Sequence, residues 1–438
     1  MSAYAKGDRV RFVGFGEPAP YSRLRIGTEG AVAAVDDLGT VHVDWDDGSR
    51  LGMVIAPPGG RPQIGSSGRP RAAPITTDRA SRLRANLSKP KAMPPQTPEI
   101  KALDFFCGAG GLTRGLLDAG LNVLGGIDND ERLRETYEAN NEPSRFVCED
   151  VTALDIDSLR RGLGVAESDT VLYAACTPCQ PFSTLNQRRG KDARKSLLLS
   201  FADLVRKAPP DYVLVENVPG LNNAYGREIH DAFVKTLDEV GLEHRAGALI
   251  DAKDYGVPQI RKRYIMLASR RGEISLPSRQ PGRKPTVRTV LKGYPRPVFD
   301  GEPELPNHVA REPKSHHLRI LEAIPRDGGS RSDVKDTSIL LPCHQKTPHL
   351  HKDVFGRMAW SLPAPTLTCR CTDVYCGRFA HPVENRGLSL REAAALQTFR
   401  DDYAFHGTFF HIAAQIGNAV PVRLARQLGD AVVASATG

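Results

Sequence analysis

The sequence has few cysteines for its length and no long apolar run, and each shortage excludes a class of protein. Eight cysteines scattered over 438 residues cannot form a dense disulfide framework, so we expect a reduced, cytoplasmic protein. No stretch of about 18 apolar residues occurs, so we expect no membrane-spanning helix. Residues 1–8 show no basic segment followed by an apolar one, so we also expect no secretory signal.

The composition does supply an apolar core and a positive charge. Hydrophobic residues make up 40% of the chain, and its length suits roughly two or three domains. The formal net charge is +8, and the abundance of arginine suits contacts with phosphate and guanine. Charge of this size favours a nucleic-acid partner only weakly unless it clusters near an active site.

Residues 1–58 have the pattern of a small β domain. Polar and apolar residues alternate in Asp8–Val13, Ala31–Val35 and Val41–Trp45, which predicts short strands. We therefore predict a small SH3-like or Tudor-like β-barrel, with a protein partner or a second DNA contact as its role. Residues 59–97 are basic and rich in proline, which indicates a flexible linker; a solvated tether is favoured over a DNA-contacting arm.

From Ile100 onward, strand-like and helix-like stretches alternate. This alternation predicts an α/β fold with an open, mostly parallel, Rossmann-like sheet. The predicted strands are Leu103–Phe106, Val123–Asp128, Arg145–Cys148, Thr170–Ala175, Tyr212–Val215 and Tyr264–Ala268. The periodicity fades between about 270 and 385, which indicates a loop-rich insertion, and helical patterns return at 388–397 and 421–434.

Three of these strands end in residues suited to a nucleoside pocket. The first runs into a turn with Gly108, Gly110 and Gly111, where glycine permits positive φ and close approach of a ligand. Asp128 and Asp150 follow the second and third strands, and an acid at such a place commonly accepts hydrogen bonds from ribose hydroxyls. The alternative for either aspartate is a helix N-cap.

Cys179 is a candidate nucleophile because of its neighbours. It stands between Pro178 and Pro181, so the chain there is a rigid, extended loop that presents one thiol. Rigid presentation suits a nucleophile, although a lone free cysteine is more often a small buried apolar residue.

Polar residues near two later strands fit the same site. Glu216 follows the strand Tyr212–Val215 and would form an acid–nucleophile pair with a thiol on a neighbouring strand end. The alternative is an ordinary surface glutamate. Gln259, Arg261 and Arg263 would share one face of a strand. Their burial would be costly without polar partners, so a solvated edge is the alternative there.

Six runs, in order, resemble DNA (cytosine-5) methyltransferases. The resemblance covers roughly residues 100–434. The runs are Asp104–Gly111, Pro178–Ser183, Glu216–Val218, Tyr255–Arg263, Leu390–Phe399 and Gln415–Pro421. It implies an S-adenosylmethionine-dependent methyltransferase fold in which a catalytic domain, 98–270 and 386–438, carries a target-recognition domain, 271–385, after the N-terminal barrel and linker.

The resemblance also implies a reaction on double-stranded DNA. Cys179 would attack carbon 6 of a cytosine flipped out of the stack, and Glu216 would contact N3. Arg263, with Arg261, would steady the base and the covalent adduct. Contacts with S-adenosylmethionine are implied for Phe106, Gly108, Gly110, Gly111, Asp128, Asn129, Asp150, Pro178, Asn418 and Val420. Substrate-loop roles are implied for Gln180, Ser183, Asn217 and Gln259, with Asn217 bracing the loop rather than reacting.

The sequence departs from the family pattern just before the nucleophile. It reads Cys176-Thr177-Pro178-Cys179 where the family usually has Gly-Pro-Pro-Cys, and we expect the missing proline to loosen the loop. One alternative function is RNA methylation, but the Cys-Phe-Thr signature of that branch is absent from Leu367–Thr372. A non-catalytic DNA-binding or assembly protein is the other alternative, and the intact Cys179, Glu216 and Arg263 argue against it.

The insertion carries many basic residues and several possible metal ligands. We expect the basic residues to contact phosphates and bases. They are Arg279, Arg283, Lys284, Arg288, Lys292, Arg296, Arg311, Lys314, Arg319, Arg326 and Arg331. The cysteines and histidines between Cys343 and Cys376 lack the usual Cys-x2-Cys pairing of zinc sites, so we expect no metal there.

Overall fold

The computed structural model describes residues 99–178, 197–222, 226–346 and 351–437, together with four N-terminal strands. The chain separates into two compact units, Met1–Leu87 and Ser88–Gly438. In the first unit, the strands form an antiparallel sheet in sequential order. They are β1 (Arg9–Arg11), β2 (Glu29–Val35), β3 (Thr40–Trp45) and β4 (Arg50–Val54). Strands β2 and β3 contain the second and third predicted stretches, and β1 covers Arg9–Arg11 of the first, whose other residues lie outside the described ones; an SH3-like barrel stays a prediction.

The second unit is built on a seven-stranded sheet of order β10-β11-β9-β8-β5-β6-β7. Its strands are β5 (Ile100–Phe105), β6 (Asn122–Asp128), β7 (Arg145–Cys148), β8 (Thr170–Cys176), β9 (Tyr212–Asn217), β10 (His244–Asp251) and β11 (Lys262–Ser269). Strands β5 to β9 pair in parallel, and β11 is antiparallel to both β9 and β10. The predicted open, mostly parallel α/β sheet is confirmed, and β10 is an additional edge strand.

Helices cover the sheet and interrupt the insertion. Before residue 271 they are α1 (Gly111–Asp118), α2 (Arg134–Asn140), α3 (Ile156–Gly162), α4 (Leu197–Lys207) and α5 (Arg227–Glu239). Those of residues 271–385 are short: α6 (Val287–Leu291), α7 (Ser315–Ala323) and α8 (Pro342–Lys346). The C-terminal part contains α9 (Leu390–Leu396), α10 (Phe409–Asn418) and α11 (Val422–Thr437). The predicted loop-rich insertion and the two returning helical stretches agree with these bounds.

Apolar side chains fill both faces of the sheet, as a parallel sheet requires. Strand β9 is buried along its whole length, and two apolar clusters lie on opposite sides of the central strands. Helix α11 packs against α1 at a small-residue contact, where a Cβ on Gly115 would lie 2.3 Å from the Cβ of Ala425. The end of the chain therefore returns to the helix that follows the glycine-rich turn. None of the helices described is long and apolar enough to cross a membrane.

Candidate functional site

The strand register brings the predicted site residues to one edge of the sheet. Phe105, the last residue of β5, lies beside Ile127 of β6 and Ala175 of β8. One residue further on, Cys176 lies beside Glu216 of β9. Neighbouring strands are about 4.8 Å apart, so the carboxyl ends of β5, β6, β8 and β9 form one continuous edge. This is where an open α/β sheet offers a ligand crevice.

The three glycines of the first turn have different surroundings. A Cβ on Gly110 would lie 2.3 Å from the Asn141 side chain, and one on Gly111 would lie 2.5 Å from the carbonyl oxygen of Val420. Both glycines are therefore needed for packing within the protein. Gly108 has φ +55°, and a Cβ there would meet no atom of the described residues within 4 Å. The turn thus leaves open space at Gly108, next to Phe106, which itself has φ +59°.

Asp128 is tied to this turn by backbone donors. Its carboxylate accepts hydrogen bonds from the N–H of Gly108 at 3.0 Å and from that of Asp130 at 3.1 Å. Burial raises the pKa of this carboxyl above its ordinary value, although these backbone donors oppose the shift. The side chain remains partly accessible, and the neighbouring Asn129 is exposed. The end of β6 therefore presents a fixed carboxylate beside the open space at Gly108.

The remaining predicted cofactor residues differ in accessibility. Asp150 is exposed, and one of its carboxylate oxygens accepts from the N–H and the hydroxyl of Thr152 at 2.9 and 2.8 Å. This is a local turn of the kind that an N-cap makes. Pro178 and Asn418 are exposed, whereas Val420 is buried against the glycine-rich turn.

Asp104 is a buried acid that the pattern analysis did not single out. It lies inside β5 with no exposed surface, and Thr113 of α1 donates a hydrogen bond to its Oδ2 at 2.7 Å. Burial raises its pKa to about 7. The hydroxyl of Tyr137 lies 3.0 Å from that of Thr113 and 2.7 Å from that of Ser144. An acidic residue within an apolar strand was the signal available in the sequence.

Glu216 lies at the centre of a polar cluster on β8, β9 and β11. The residue is 3% exposed, and its Oε1 lies 3.0 Å from Nε of Arg263 in an ion pair. Its Oε2 accepts a hydrogen bond from the Cys176 thiol, with sulfur and oxygen 3.0 Å apart. Within the described part of the chain, Oε1 makes no hydrogen bond. One carboxylate oxygen is therefore charge-paired yet still able to take a hydrogen-bonding partner.

The neighbouring Asn217 holds the residue that precedes the proline-flanked loop. Its Nδ2 donates to the Thr177 hydroxyl at 2.6 Å, and its Oδ1 accepts from the N–H of Val218 at 2.8 Å. Thr177 is 2% exposed. The chain entering the loop is therefore anchored at Thr177, where we expected the missing proline to loosen it. Cys179, Gln180 and Ser183 lie outside the described residues.

Gln259 and Arg261 have surroundings different from those of Arg263. Gln259 is fully buried and joins Gln397, whose side-chain oxygen lies 2.9 Å from its Nε2. Arg261 is buried, and its Nη1 donates to the carbonyls of Leu367 and Gly417, both at 3.1 Å. The prediction of one shared strand face is wrong, because β11 begins only at Lys262 and the first two side chains turn to backbone and amide partners.

These bonds tie the insertion and the C-terminal helices to the catalytic sheet. The N–H of Leu367 donates to Gln259 at 3.0 Å, and the side chain of Gln397 donates to the carbonyl of Ile416 at 2.8 Å. The hydroxyl of Tyr403 donates to the carbonyl of Ala109 in the glycine-rich turn. Gln397 and Tyr403 thus support the site from a distance in sequence that no local pattern could indicate.

The basic residues of the insertion are mostly on its surface. Among the basic residues predicted to contact DNA, Arg331 is 3% exposed and Lys284 is half-buried; Arg357, which was not among them, is 1% exposed. Arg311 lies 3.6 Å from Asp373 in an ion pair. Across the ranges that the structure describes, no group of three or more potential ligands could hold a metal ion.

Comparison with known proteins identifies the family that this chain matches. Residues 100–434 match the family described as C-5 cytosine-specific DNA methylase, and residues 1–57 match one described as a domain of unknown function, DUF4314. The Type II methylase M.HgiDII of Herpetosiphon aurantiacus is 34% identical over 75% of this chain and 94% of its own length. The Type II methyltransferase M.XorII of Xanthomonas oryzae is 30% identical over 76% of this chain and 84% of its own.

Solved structures agree in fold. A prophage-encoded Escherichia coli protein described as a DNA modification methyltransferase superposes with a TM-score of 0.59 at 24% identity. The match covers 78% of this chain and all of that one. The Entamoeba histolytica methyltransferase EhMeth gives a TM-score of 0.52 at 16% identity, covering 75% of this chain and 96% of its own. At these identities the similarity concerns the fold.

Proposed function

The chain belongs to the C-5 cytosine-specific DNA methylase family, and from that premise we propose which of its residues carry out the reaction. It is a DNA cytosine-5 methyltransferase that uses S-adenosylmethionine. The family and its Type II relatives support this function over RNA methylation and over a non-catalytic DNA-binding role. The observation that supports our assignment best is the buried Glu216, paired with Arg263 beside the start of the Cys179 loop.

In the mechanism that we propose, Cys179 attacks carbon 6 of a cytosine flipped out of the duplex. The new bond between sulfur and carbon 6 makes carbon 5 nucleophilic. Glu216 contacts N3 of the ring and holds a proton there, which offsets the negative charge that the attack creates. Arg263 keeps the Glu216 carboxylate in place through its 3.0 Å ion pair. Once carbon 5 carries the methyl group, its proton leaves to solvent, the bond between the Cys179 sulfur and carbon 6 breaks, and the double bond between carbons 5 and 6 is restored.

The residues around the glycine-rich turn fit S-adenosylmethionine, which when bound supplies the methyl group. The open space at Gly108 leaves room for a ligand against the backbone, and Asp128 presents a fixed carboxylate next to it. We propose that Asp128 holds the ribose hydroxyls, with Phe106 and Asn129 beside it. Gly111 packs against Val420 and Gly110 packs against Asn141, and these contacts shape the turn. Exposed Asp150, Pro178 and Asn418 complete the proposed contacts.

Roles for Arg261 and Gln259 follow from their partners. Both lie buried between the catalytic sheet, Leu367 and the C-terminal helices. We propose that they position Arg263 and the end of the insertion, so their effect on the base and on the adduct is indirect. Gln180 and Ser183 keep their proposed places in the substrate loop beside Cys179.

We propose that residues 98–270 and 386–438 form the catalytic domain and that residues 271–385 recognise a short sequence in double-stranded DNA. The exposed arginines and lysines of the insertion support this role, since they can contact phosphates and base edges. The curated relatives are Type II enzymes. Protection of host DNA against a partner nuclease in the cytoplasm is accordingly the biological role that we propose.

The N-terminal residues 1–58 are proposed to bind a protein partner or to make a second DNA contact, with 59–97 as their linker. Their match to a domain of unknown function shows a recurring module without assigning its role. Deleting residues 1–58 should weaken DNA affinity or abolish binding of a partner. Unchanged DNA affinity together with unchanged partner binding would contradict this proposal.

The test of the main proposal is methyl transfer from labelled S-adenosylmethionine to unmethylated bacterial DNA, followed by base-resolution sequencing of 5-methylcytosine. Wild-type protein should methylate cytosines in one short motif, and Cys179→Ala should incorporate no label. Parallel measurement of S-adenosylmethionine binding shows whether each protein is folded. Label incorporated by Cys179→Ala would overturn the assignment of the nucleophile.

A further inference from the structure

Two side chains that depart from the family pattern, one on the last residue of β8 and one on the residue after it, contact the proposed acid and its neighbour on β9. The thiol of Cys176 donates to Glu216 at 3.0 Å, and the hydroxyl of Thr177 accepts from Asn217 at 2.6 Å. The glycine and proline usual at these positions carry no side-chain donor or acceptor. The departures therefore add two specific contacts at the start of the nucleophile loop.

The contact from Cys176 is made with the carboxylate oxygen other than the one paired with Nε of Arg263. Arg263 lies 3.0 Å from Oε1 of Glu216, and the thiol holds Oε2. The terminal torsion of a glutamate is broad when nothing restrains it. Contacts at both oxygens fix the plane of the carboxyl group.

We propose that Cys176 is a positioning residue for methyl transfer, which orients the Glu216 carboxyl group toward N3 of the target cytosine. Thr177 acts with it by anchoring the first residue of the loop through Asn217. This inference rests on the proposed function of Glu216. Neither residue touches the substrate in this scheme, so both should affect the rate of methyl transfer more than the affinity for DNA.

Substitutions at Cys176 distinguish a thiol that donates a hydrogen bond from a thiol that only fills space. Cys176→Ala keeps most of the volume and loses the donor, Cys176→Gly restores the usual family residue, and Cys176→Ser keeps a hydroxyl donor. At the second position, Thr177→Val removes the hydroxyl group and Thr177→Ser keeps it. A space-filling role would make serine no better than alanine.

The experiment is single-turnover methyl transfer by the full chain, with dissociation constants for duplex DNA and S-adenosylmethionine measured alongside. We expect the rate to fall roughly tenfold in Cys176→Ala and Cys176→Gly, with both dissociation constants within about twofold of wild type. Cys176→Ser should recover to within about threefold of wild type. Thr177→Val should lower the rate, and Thr177→Ser should retain it. Wild-type rates in Cys176→Ala, or equal losses in Cys176→Ala and Cys176→Ser, would overturn the inference.

Two further measurements separate this inference from the proposed function. Ser435→Ala removes one distant hydrogen bond, from Ser435 to the carbonyl of Glu273, and should leave every rate unchanged. The infrared S–H stretch of Cys176, isolated as the difference between wild type and Cys176→Ser, should shift when Glu216 is replaced by leucine. This signal does not depend on catalysis: its absence overturns the contact, whereas an inactive wild-type protein that shows it contradicts only the proposed function.

Discussion

The carbonyl oxygen of Val420 lies where a side chain on Gly111 would have to go. A Cβ on Gly111 would be 2.5 Å from that oxygen and 3.2 Å from the ring of Phe399. Residues that are about 310 positions apart in the chain thus close on one another at the proposed cofactor turn. The C-terminal segment is therefore part of the architecture of this turn.

Substitutions at two glycines of the turn should separate packing from ligand binding. Gly111→Ala should lower the melting temperature because the Val420 backbone cannot move aside cheaply. Gly108→Ala meets no atom of the residues that the structure describes and should cost only about 1 kcal/mol for its positive φ, while weakening S-adenosylmethionine binding by about tenfold or more. Differential scanning fluorimetry and isothermal titration calorimetry check these results. Equal affinities for the cofactor in wild type and Gly108→Ala would contradict a ligand at this point.

Removing one partner of the buried ion pair between Arg386 and Glu392 should lower the free energy of unfolding. The two groups make a bidentate contact at 2.7 and 2.8 Å, and both side chains are 2% exposed. Glu392→Gln removes the more buried of the two charge partners of Arg386 and leaves Glu384, whose carboxylate accepts from the guanidinium at 3.1 Å, so we expect a loss of about 2–3 kcal/mol in the free energy of unfolding. Urea denaturation measures it. Arg400→Gln removes an exposed pair with Asp402 and serves as the control, with a change of about 1 kcal/mol or less.

Asp104 should make stability depend on pH. Burial raises its folded-state pKa to about 7, from an ordinary value of 3.8, so the folded state holds a proton that the unfolded state releases. The stability that this group contributes is complete below about pH 4 and is lost as the pH rises through 7. Asp104→Asn stays neutral and keeps an acceptor for Thr113.

The comparison to make is the melting temperature of Asp104→Asn minus that of wild type. This difference should grow as the pH is raised from 5.5 to 8.5, values chosen to bracket roughly the folded-state pKa. Asp118→Asn, at a half-buried pair with Arg114, provides a control whose difference should stay flat. A flat difference for Asp104→Asn as well would show that the buried carboxyl does not titrate in this range.

Glu216→Gln should abolish most methyl transfer while leaving the fold intact. Glutamine preserves the shape of the side chain but cannot exchange a proton with N3, so we expect the rate to fall by about 10² or more. Binding of duplex DNA, measured by fluorescence anisotropy, should remain near that of wild type. A variant with full activity would show that Glu216 plays only a structural part beside Arg263.

Local sequence pattern predicted six of the seven strands of the large sheet and its mostly parallel character. Apolar runs such as Thr170–Ala175 and Tyr212–Val215 form buried parallel strands, and the polar residues that follow them lie at the carboxyl edge of the sheet. Strand β10 was missed because its outward positions interrupt the apolar pattern at the sheet edge. In the insertion, pattern indicated loops and could not predict which basic side chain, such as Arg331, would be buried.

By itself, then, the sequence determined the α/β class and the family, and it supplied the candidates for the reactive residues, because these depend on periodicity and on short runs. The tertiary structure alone decided the partners of those residues. Arg261 and Gln259 bind backbone and amide groups of distant segments, whereas Arg263 pairs with Glu216, although period-two spacing treats all three alike. Cys176 and Thr177 gained their partners for the same physical reason: buried polar groups must find hydrogen bonds, and only the folded chain brings those groups within reach.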